Sequence, residues 1–328
     1  MELTDEQRKE VYESLLLVRR FEEAVLEAYE SGGVPELPHL SIGQEAVGVG
    51  ATYVLEADDW IAPSLRTRAP ILMRVPLEEV VAGMYGTRSG PSEGRTTQHH
   101  MGSTERAILG TTGMVGSHLN AAVGAGLSSR QLGNDRVSTV FFGDGATTRG
   151  EFHTALNYAA VEDLPVVFVI ENNGWTEETP IGQVTAVEED LIEFAGHDLP
   201  SSVVDGQDAD EVIAATAEAV DRARGGDGPT LLEMKTYRYR PHAEVIPERR
   251  DEAEIERWKA RDPVTIYRDR LLEEGVVDEG WLEDVDASLR ADVEAAFEFA
   301  RNDPLPPEEA MYHVYKDVEV DRDGGVVR

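Results

Sequence analysis

Residues 137–175 read VSTVFFGDGATTRGEFHTALNYAAVEDLPVVFVIENNGW, two apolar runs that each end in a polar tip. The runs at 137–142 and 165–170 lack polar alternation, as parallel strands buried on both faces require. Between them, 151–160 has the composition of a helix. Strand, helix and strand in that order put Gly143-Asp144-Gly145 and Asn172-Asn173 at the carboxyl edge of adjacent parallel strands, where open α/β sheets bind ligands. A carboxylate and an amide oxygen there are hard oxygen ligands that suit magnesium, leaving its other positions to water, a backbone carbonyl and phosphate oxygens. The flanking glycines let the backbone approach a diphosphate, and 146–150 lead into a helix start with free amides. Gly-Asp-Gly alone is a common turn triplet. Its coupling to Asn-Asn after 26 intervening residues makes the pattern specific.

Outward from this segment the same texture continues. Short β-rich runs alternate with alanine-rich helical stretches from 51 to 239, including a strand at 230–235 and a helix at 208–224, which predicts a largely parallel α/β sheet. Residues 5–30 show helical periodicity in Val11, Leu15, Val18, Val25 and Tyr29 after a Thr4 cap. Residues 240–250, with Pro241 and Pro247, are irregular, and helices follow at 252–274 and 280–301. The expected organisation is a helical arm over 1–50, a diphosphate-binding α/β core over 51–250 and a helical extension over 251–328, all within one structural domain.

The net charge of −34 in 328 residues excludes a nucleic-acid partner, which needs a basic face. Lysine occurs only at Lys9, Lys235, Lys259 and Lys316, and the acids are spread along the whole chain. Dispersed acids with scarce lysine suggest a halophilic origin. In molar salt the Debye length is about 3 Å, so self-repulsion is screened and the acids serve hydration. With no cysteine, disulfides, thiolate nucleophiles and zinc–thiolate sites are ruled out. The N-terminus has no apolar signal region and no stretch approaches the ~18 apolar residues of a membrane span, so a cytoplasmic location is expected.

The GDG…NN arrangement resembles the thiamine-diphosphate motif. Its surroundings are similar to the alpha subunit of the decarboxylating component of 2-oxoacid dehydrogenases, the pyruvate, branched-chain 2-oxoacid and acetoin enzymes. The likeness takes in HLSIGQEA at 39–46, Gly113-Met114-Val115-Gly116, GDGATTRGEFHTALNYAA, VIENNG at 169–174, Val204-Asp205-Gly206, KTYRY at 235–239, and 307–317. It implies a thiamine-diphosphate-binding fold with helical extensions, and magnesium held by Asp144, Asn173 and the backbone carbonyl of Trp175. It places Gly145 and Ala146 against the diphosphate, pairs Arg66 with it, and sets Gly113 and Val115 against the aminopyrimidine. His242 and His100 match two active-site histidines. The implied reaction is oxidative decarboxylation of a small 2-oxoacid with reductive acyl transfer to lipoamide. The catalytic glutamate would come from a beta subunit, in an alpha-two beta-two heterotetramer docked on a lipoyl acyltransferase core.

Several positions depart from the family pattern. Leu65 stands where a tyrosine precedes the phosphate arginine, Glu177 and Glu178 follow the Asn-Asn tip, and the loop normally reading Gly-His-Ser is Pro241-His242-Ala243. Arg249 and Arg250 occupy a Tyr-Arg pair. His118 replaces a glutamine and is expected behind the pocket wall, and Trp258 and Tyr267 read as packing residues. Two other readings stand beside the dehydrogenase subunit. One is a non-catalytic or regulatory paralogue with weakened cofactor binding; the other is an unrelated magnesium-dependent phosphatase or nucleotide-binding enzyme using Asp144.

Overall fold

In the computed structural model, residues 3–187, 190–196, 198–308, 310, 319–320 and 326–327 are described. The chain runs α1 (Asp5–Glu30), α2 (Glu45–Tyr53), β1 (Trp60–Ala62), α3 (Ala69–Leu72), α4 (Leu77–Tyr85), α5 (Ser117–Leu132), β2 (Ser138–Gly143), α6 (Gly150–Val161) and β3 (Val166–Asn172). It continues through β4 (Trp175–Thr176), β5 (Thr179–Pro180), α7 (Ile192–Ala195), β6 (Ser201–Asp205), α8 (Ala209–Arg224), β7 (Thr230–Lys235), α9 (Glu252–Lys259), α10 (Pro263–Glu273) and α11 (Glu279–Asn302). A short antiparallel pair, β8 (Glu319–Val320) and β9 (Val326–Val327), closes it.

Five strands form one all-parallel sheet in the order β1-β2-β3-β7-β6. Side chains alternate across a strand, so β1, β2, β3 and β7 each feed two cores. Val140, Phe142, Phe168 and Ile170 face α5 and α6, whereas Phe141, Val167, Val169 and Met234 face α2 and α8. All of these are buried, which is why the strands read as unbroken apolar runs. A third core joins α1, α2 and α4 to α10 and α11.

The helical expectations hold to within a residue or two. Thr4 caps α1 through a capping box: its Oγ1 accepts from the Gln7 amide at 3.3 Å, while Gln7 Oε1 accepts from the Thr4 amide at 3.0 Å. The predicted helical stretch 252–274 is two helices, because Asp262 accepts from the Thr265 amide as an N-cap and Pro263 begins the second. Residues 240–250 contain no helix or strand. The resemblance noted for 307–317 falls largely outside the described residues. Among the described residues, no helix is long and apolar enough to cross a membrane. Tyr267 is buried, and Trp258 stacks on Tyr237 at 5.4 Å, so both are packing residues.

Gly50 marks how closely α2 meets α8: a Cβ there would lie 2.7 Å from Val212 Cγ1. Alanine in place of a mid-helix glycine would gain about 1 kcal/mol from propensity. Val212 is fully buried and β-branched, so it cannot swing away, and overpacking costs about 1–3 kcal/mol. Gly50→Ala is therefore expected to lower unfolding stability by about 1 kcal/mol in a denaturant titration; a gain would show that α8 can retreat.

Candidate functional site

The β2–β3 register runs from Ser138↔Val166 to Gly143↔Glu171, and β3 continues one residue to Asn172, so the strands end within one residue of each other at the carboxyl edge. Asp144 and Asn173 are the next residues out, and both line a cavity of about 370 Å³ with Leu65, Arg66, Val115, Trp175, Arg238 and His242. A larger cleft of about 530 Å³ lies between α1 and α11, but its wall carries opposed charges such as Arg20 and Glu23 that pair with each other at 2.7 Å. The smaller cavity contains Asp144, Arg66 and Arg238, buried ionisable groups that form no ion pair, and is the candidate site.

Asp144 is 2% exposed. Its Oδ1 accepts from the Gly145 amide at 2.7 Å, while Oδ2 is buried without a partner. Burial pushes its carboxyl up to about 6, against the amide donors of Gly145 and Trp175 and the charge of Arg238. Asn173 Nδ2 donates to Gln44 Oε1 at 3.2 Å, which fixes the amide so that Oδ1 accepts from the Trp175 amide at 3.1 Å. Asn172 turns the other way and donates to Glu233 at 2.6 Å. The second asparagine is thus the one offered to the cavity, and the first ties β3 to β7.

Two buried guanidiniums, Arg66 and Arg238, line the cavity together with the exposed Arg149. Arg66 is buried and donates to the Leu40 carbonyl at 2.7 Å, the His242 carbonyl at 3.0 Å and His242 Nδ1 at 3.3 Å. Arg238, 2% exposed, donates to the carbonyls of Glu177 and Arg240, and its Nε has no partner. Neither is hydrogen-bonded to a carboxylate. Burial and the other arginines lower Arg66 to about 10 and Arg238 to about 9. Arg238 was not foreseen as a site residue; in sequence it is one of three basic residues, with Lys235 and Arg240, at and just beyond the end of the apolar strand at 230–235. Glu171 at the end of β3 was also missed. It lines the cavity and accepts from Ser64 at 3.0 Å and from Thr67, and burial raises its carboxyl above the usual range.

Gly145 and Ala146 lie in a 3₁₀ turn that leads to α6, and both line the cavity. Gly145 is needed for a further reason: a Cβ would sit 2.7 Å from Thr176 Cγ2 on β4, which folds over it. Val115 lines the cavity and is 51% exposed, whereas Gly113 is exposed in the preceding loop. His118, expected behind the pocket wall, instead lines the cavity itself, 7% exposed, with Nε2 2.7 Å from the Phe141 carbonyl. His242 lines the cavity; His100 is exposed and does not, and the ring that stands next to His242 is His39. Of the acids after Asn173, Glu178 pairs with Arg249 at 3.1 Å, whereas Glu177 lines the cavity but is exposed to solvent, with φ of 56°. Arg250 is buried over the Tyr237 ring and bonds Glu248 and the carbonyls of Arg238 and Arg240, so it braces the loop rather than facing a ligand.

The donor set fits a hard cation bridging to a polyanion. Among the described residues no cluster of three or more His, Asp or Glu could hold a metal alone. One carboxylate with a free oxygen and one carboxamide leave the ion to complete its shell from phosphate oxygens, which the two arginines would also meet. Because burial disfavours the Asp144 anion, ligand-free stability should fall as pH rises from about 4 to about 6 and stay lower above that. Asp144→Asn removes this penalty, on the order of 3 kcal/mol. The apo variant should melt higher than wild type at pH 8 and alike near pH 4; equal melting at both would refute the burial argument.

A family model described as "Dehydrogenase E1 component" matches residues 13–309. The alpha subunit of the pyruvate dehydrogenase E1 component of Zymomonas mobilis is 37% identical over 311 residues, 94% of this chain and 88% of the relative. The corresponding Rhizobium meliloti subunit is 35% identical, covering 95% and 90%. The alpha subunit of a Bacillus subtilis acetoin:2,6-dichlorophenolindophenol oxidoreductase is 33% identical, covering 97% and 96%.

Proposed function

The chain belongs to the dehydrogenase E1 component family, among its alpha subunits, and from that premise we propose that it anchors thiamine diphosphate and Mg²⁺ in a 2-oxoacid dehydrogenase. The observation that carries this reading is the pair of strand-tip oxygens, Asp144 Oδ2 and Asn173 Oδ1, in one cavity with the buried guanidiniums of Arg66 and Arg238. Asp144, Asn173 and the Trp175 carbonyl would hold the magnesium ion. The amides of Gly145 and Ala146, with Arg66 and Arg238, would hold the diphosphate. Gly113 and Val115 would border the aminopyrimidine, Val115 as an apolar wedge.

When bound, thiamine diphosphate supplies a carbon that adds to the 2-oxo group and accepts the electrons left when carbon dioxide departs. This chain's own part is to orient and to donate. An arginine only donates, so the Arg66 contact makes His242 Nδ1 an acceptor and leaves the proton of the neutral ring on Nε2. Burial and Arg66 depress this imidazole to about 3, so near neutral pH it is an uncharged N–H donor suited to an oxygen gaining negative charge. His100 would reach the site only through movement of its loop.

The glutamate that meets the pyrimidine would come from a beta subunit, with which the chain is proposed to act as an alpha-two beta-two heterotetramer feeding a lipoyl acyltransferase core. The dispersed acid excess fits a salt-rich cytoplasm, and melting temperature is expected to rise with molar KCl. The test is to co-express the chain with a beta-type partner in high salt and to measure decarboxylation over a panel of 2-oxoacids. Turnover of at least one acid, absent from the isolated chain, is expected. Cofactor binding without turnover on any acid would favour a non-catalytic paralogue, the reading that Leu65, Glu177 and Pro241 support.

A further inference from the structure

His242 begins a row of three imidazoles that leads away from the cavity. The His39 ring meets His242 at 4.9 Å and 82°, and meets His99 at 5.0 Å and 70°. His39 Nδ1 and His99 Nε2 are 3.1 Å apart, and His99 Nδ1 contacts the Glu36 carboxylate. Thr97 Oγ1 donates to the same carboxylate, and Gln98 Nε2 donates to the Glu36 carbonyl at 3.1 Å. The turn carrying His99 is thus clamped onto the loop carrying His39.

Donor chemistry fixes the protons along this row. The Glu36 carboxylate only accepts, so His99 carries its proton on Nδ1 and, when neutral, accepts at Nε2. His39 must then donate from Nδ1, leaving its own Nε2 bare. The charged and titratable groups around these rings are Glu36, Arg66, Arg68, Arg238 and His100. Burial, with the arginines, holds all three imidazoles below their usual range, so the neutral assignment applies near pH 7. Among the described residues, these rings and Glu36 do not form a group that could hold a metal ion.

We propose that Glu36, His99 and His39 are positioning residues for the reaction, a hydrogen-bonded row that fixes the His39 ring as the wall against which His242 is held at the cavity. This rests on the reading of the cavity as the thiamine-diphosphate and 2-oxoacid site. Arg66 sets which nitrogen of His242 carries the proton; the row sets where that N–H points. A carboxylate orienting one imidazole that orients the next is the same economy by which a buried acid aligns a catalytic histidine.

The test compares Glu36→Ala, His99→Phe and His99→Gln in the assembled alpha–beta enzyme, with kcat, KM, thiamine-diphosphate Kd and melting temperature measured for each. Phenylalanine keeps a ring beside His39 but removes both hydrogen bonds. Glutamine can still donate to Glu36 and accept from His39. Glu36→Ala and His99→Phe are each expected to lower kcat about tenfold, with KM and Kd within about twofold. The double variant should lose no more than the worse single one, because the two act as a unit. His99→Gln should recover kcat to within about threefold of wild type. Wild-type kcat in His99→Phe would overturn the proposal, as would a kcat loss matched by weaker cofactor binding or lower melting temperature, which would reduce the row to a structural clamp. Wild-type enzyme that bound no thiamine diphosphate would overturn the reading beneath it, and the role of the row with it.

Discussion

Register between β2 and β3 determines where every charged group of the cavity stands. Each strand is buried on both faces, so a slip of one residue would move Phe142 and Ile170 from the α5–α6 side to the α2–α8 side and Phe141 and Val169 the opposite way. Two packed cores therefore oppose any shift. With the register fixed, Asp144 and Asn173 leave the sheet side by side, and the neighbouring β7 delivers Arg238 and His242 a few residues beyond its own end.

That geometry concentrates charges that the protein alone does not neutralise. Asp144 is held neutral more readily than a free aspartate, and Arg66 and Arg238 lose their protons more readily than free arginines. Opposite charges in one buried cavity usually relieve each other by pairing. Here the arginines donate instead to backbone carbonyls, and Asp144 Oδ2 is left without a partner. A divalent cation with a bound diphosphate would satisfy both signs at once. The conflict of Glu177 and Glu178 with an anionic ligand is eased by the hairpin they form, which turns Glu178 to Arg249 and leaves Glu177, on the cavity lining, exposed to solvent.

Most of the fold was legible because buried parallel strands and capped amphipathic helices write their periods directly into the sequence. The strands at 138–143, 166–172 and 230–235, and the helices α1, α6, α8 and α11, fall within two residues of where apolar runs, Thr4 and Asp208 put them. β6 escaped notice because its edge position lets Ser201, Ser202 and Val203 stay exposed. α5 was hidden by two interior glycines, one of which, Gly126, lets the helix approach Val166. In the site, the acid and amide tips were legible from spacing alone. Arg238, Glu171, Gln44 and the His39–His99–Glu36 row were not, because they meet the cavity through tertiary contacts between segments as far as 129 residues apart.

The central claim, that the strand-tip carboxylate and amide bind a diphosphate through magnesium, is tested most directly by calorimetric titration of thiamine diphosphate into the assembled protein. Wild type is expected to bind only with Mg²⁺ present, and Asp144→Ala to lose that magnesium-dependent binding while the subunits stay assembled. Unchanged affinity in Asp144→Ala, or equal binding with and without the ion, would contradict the account.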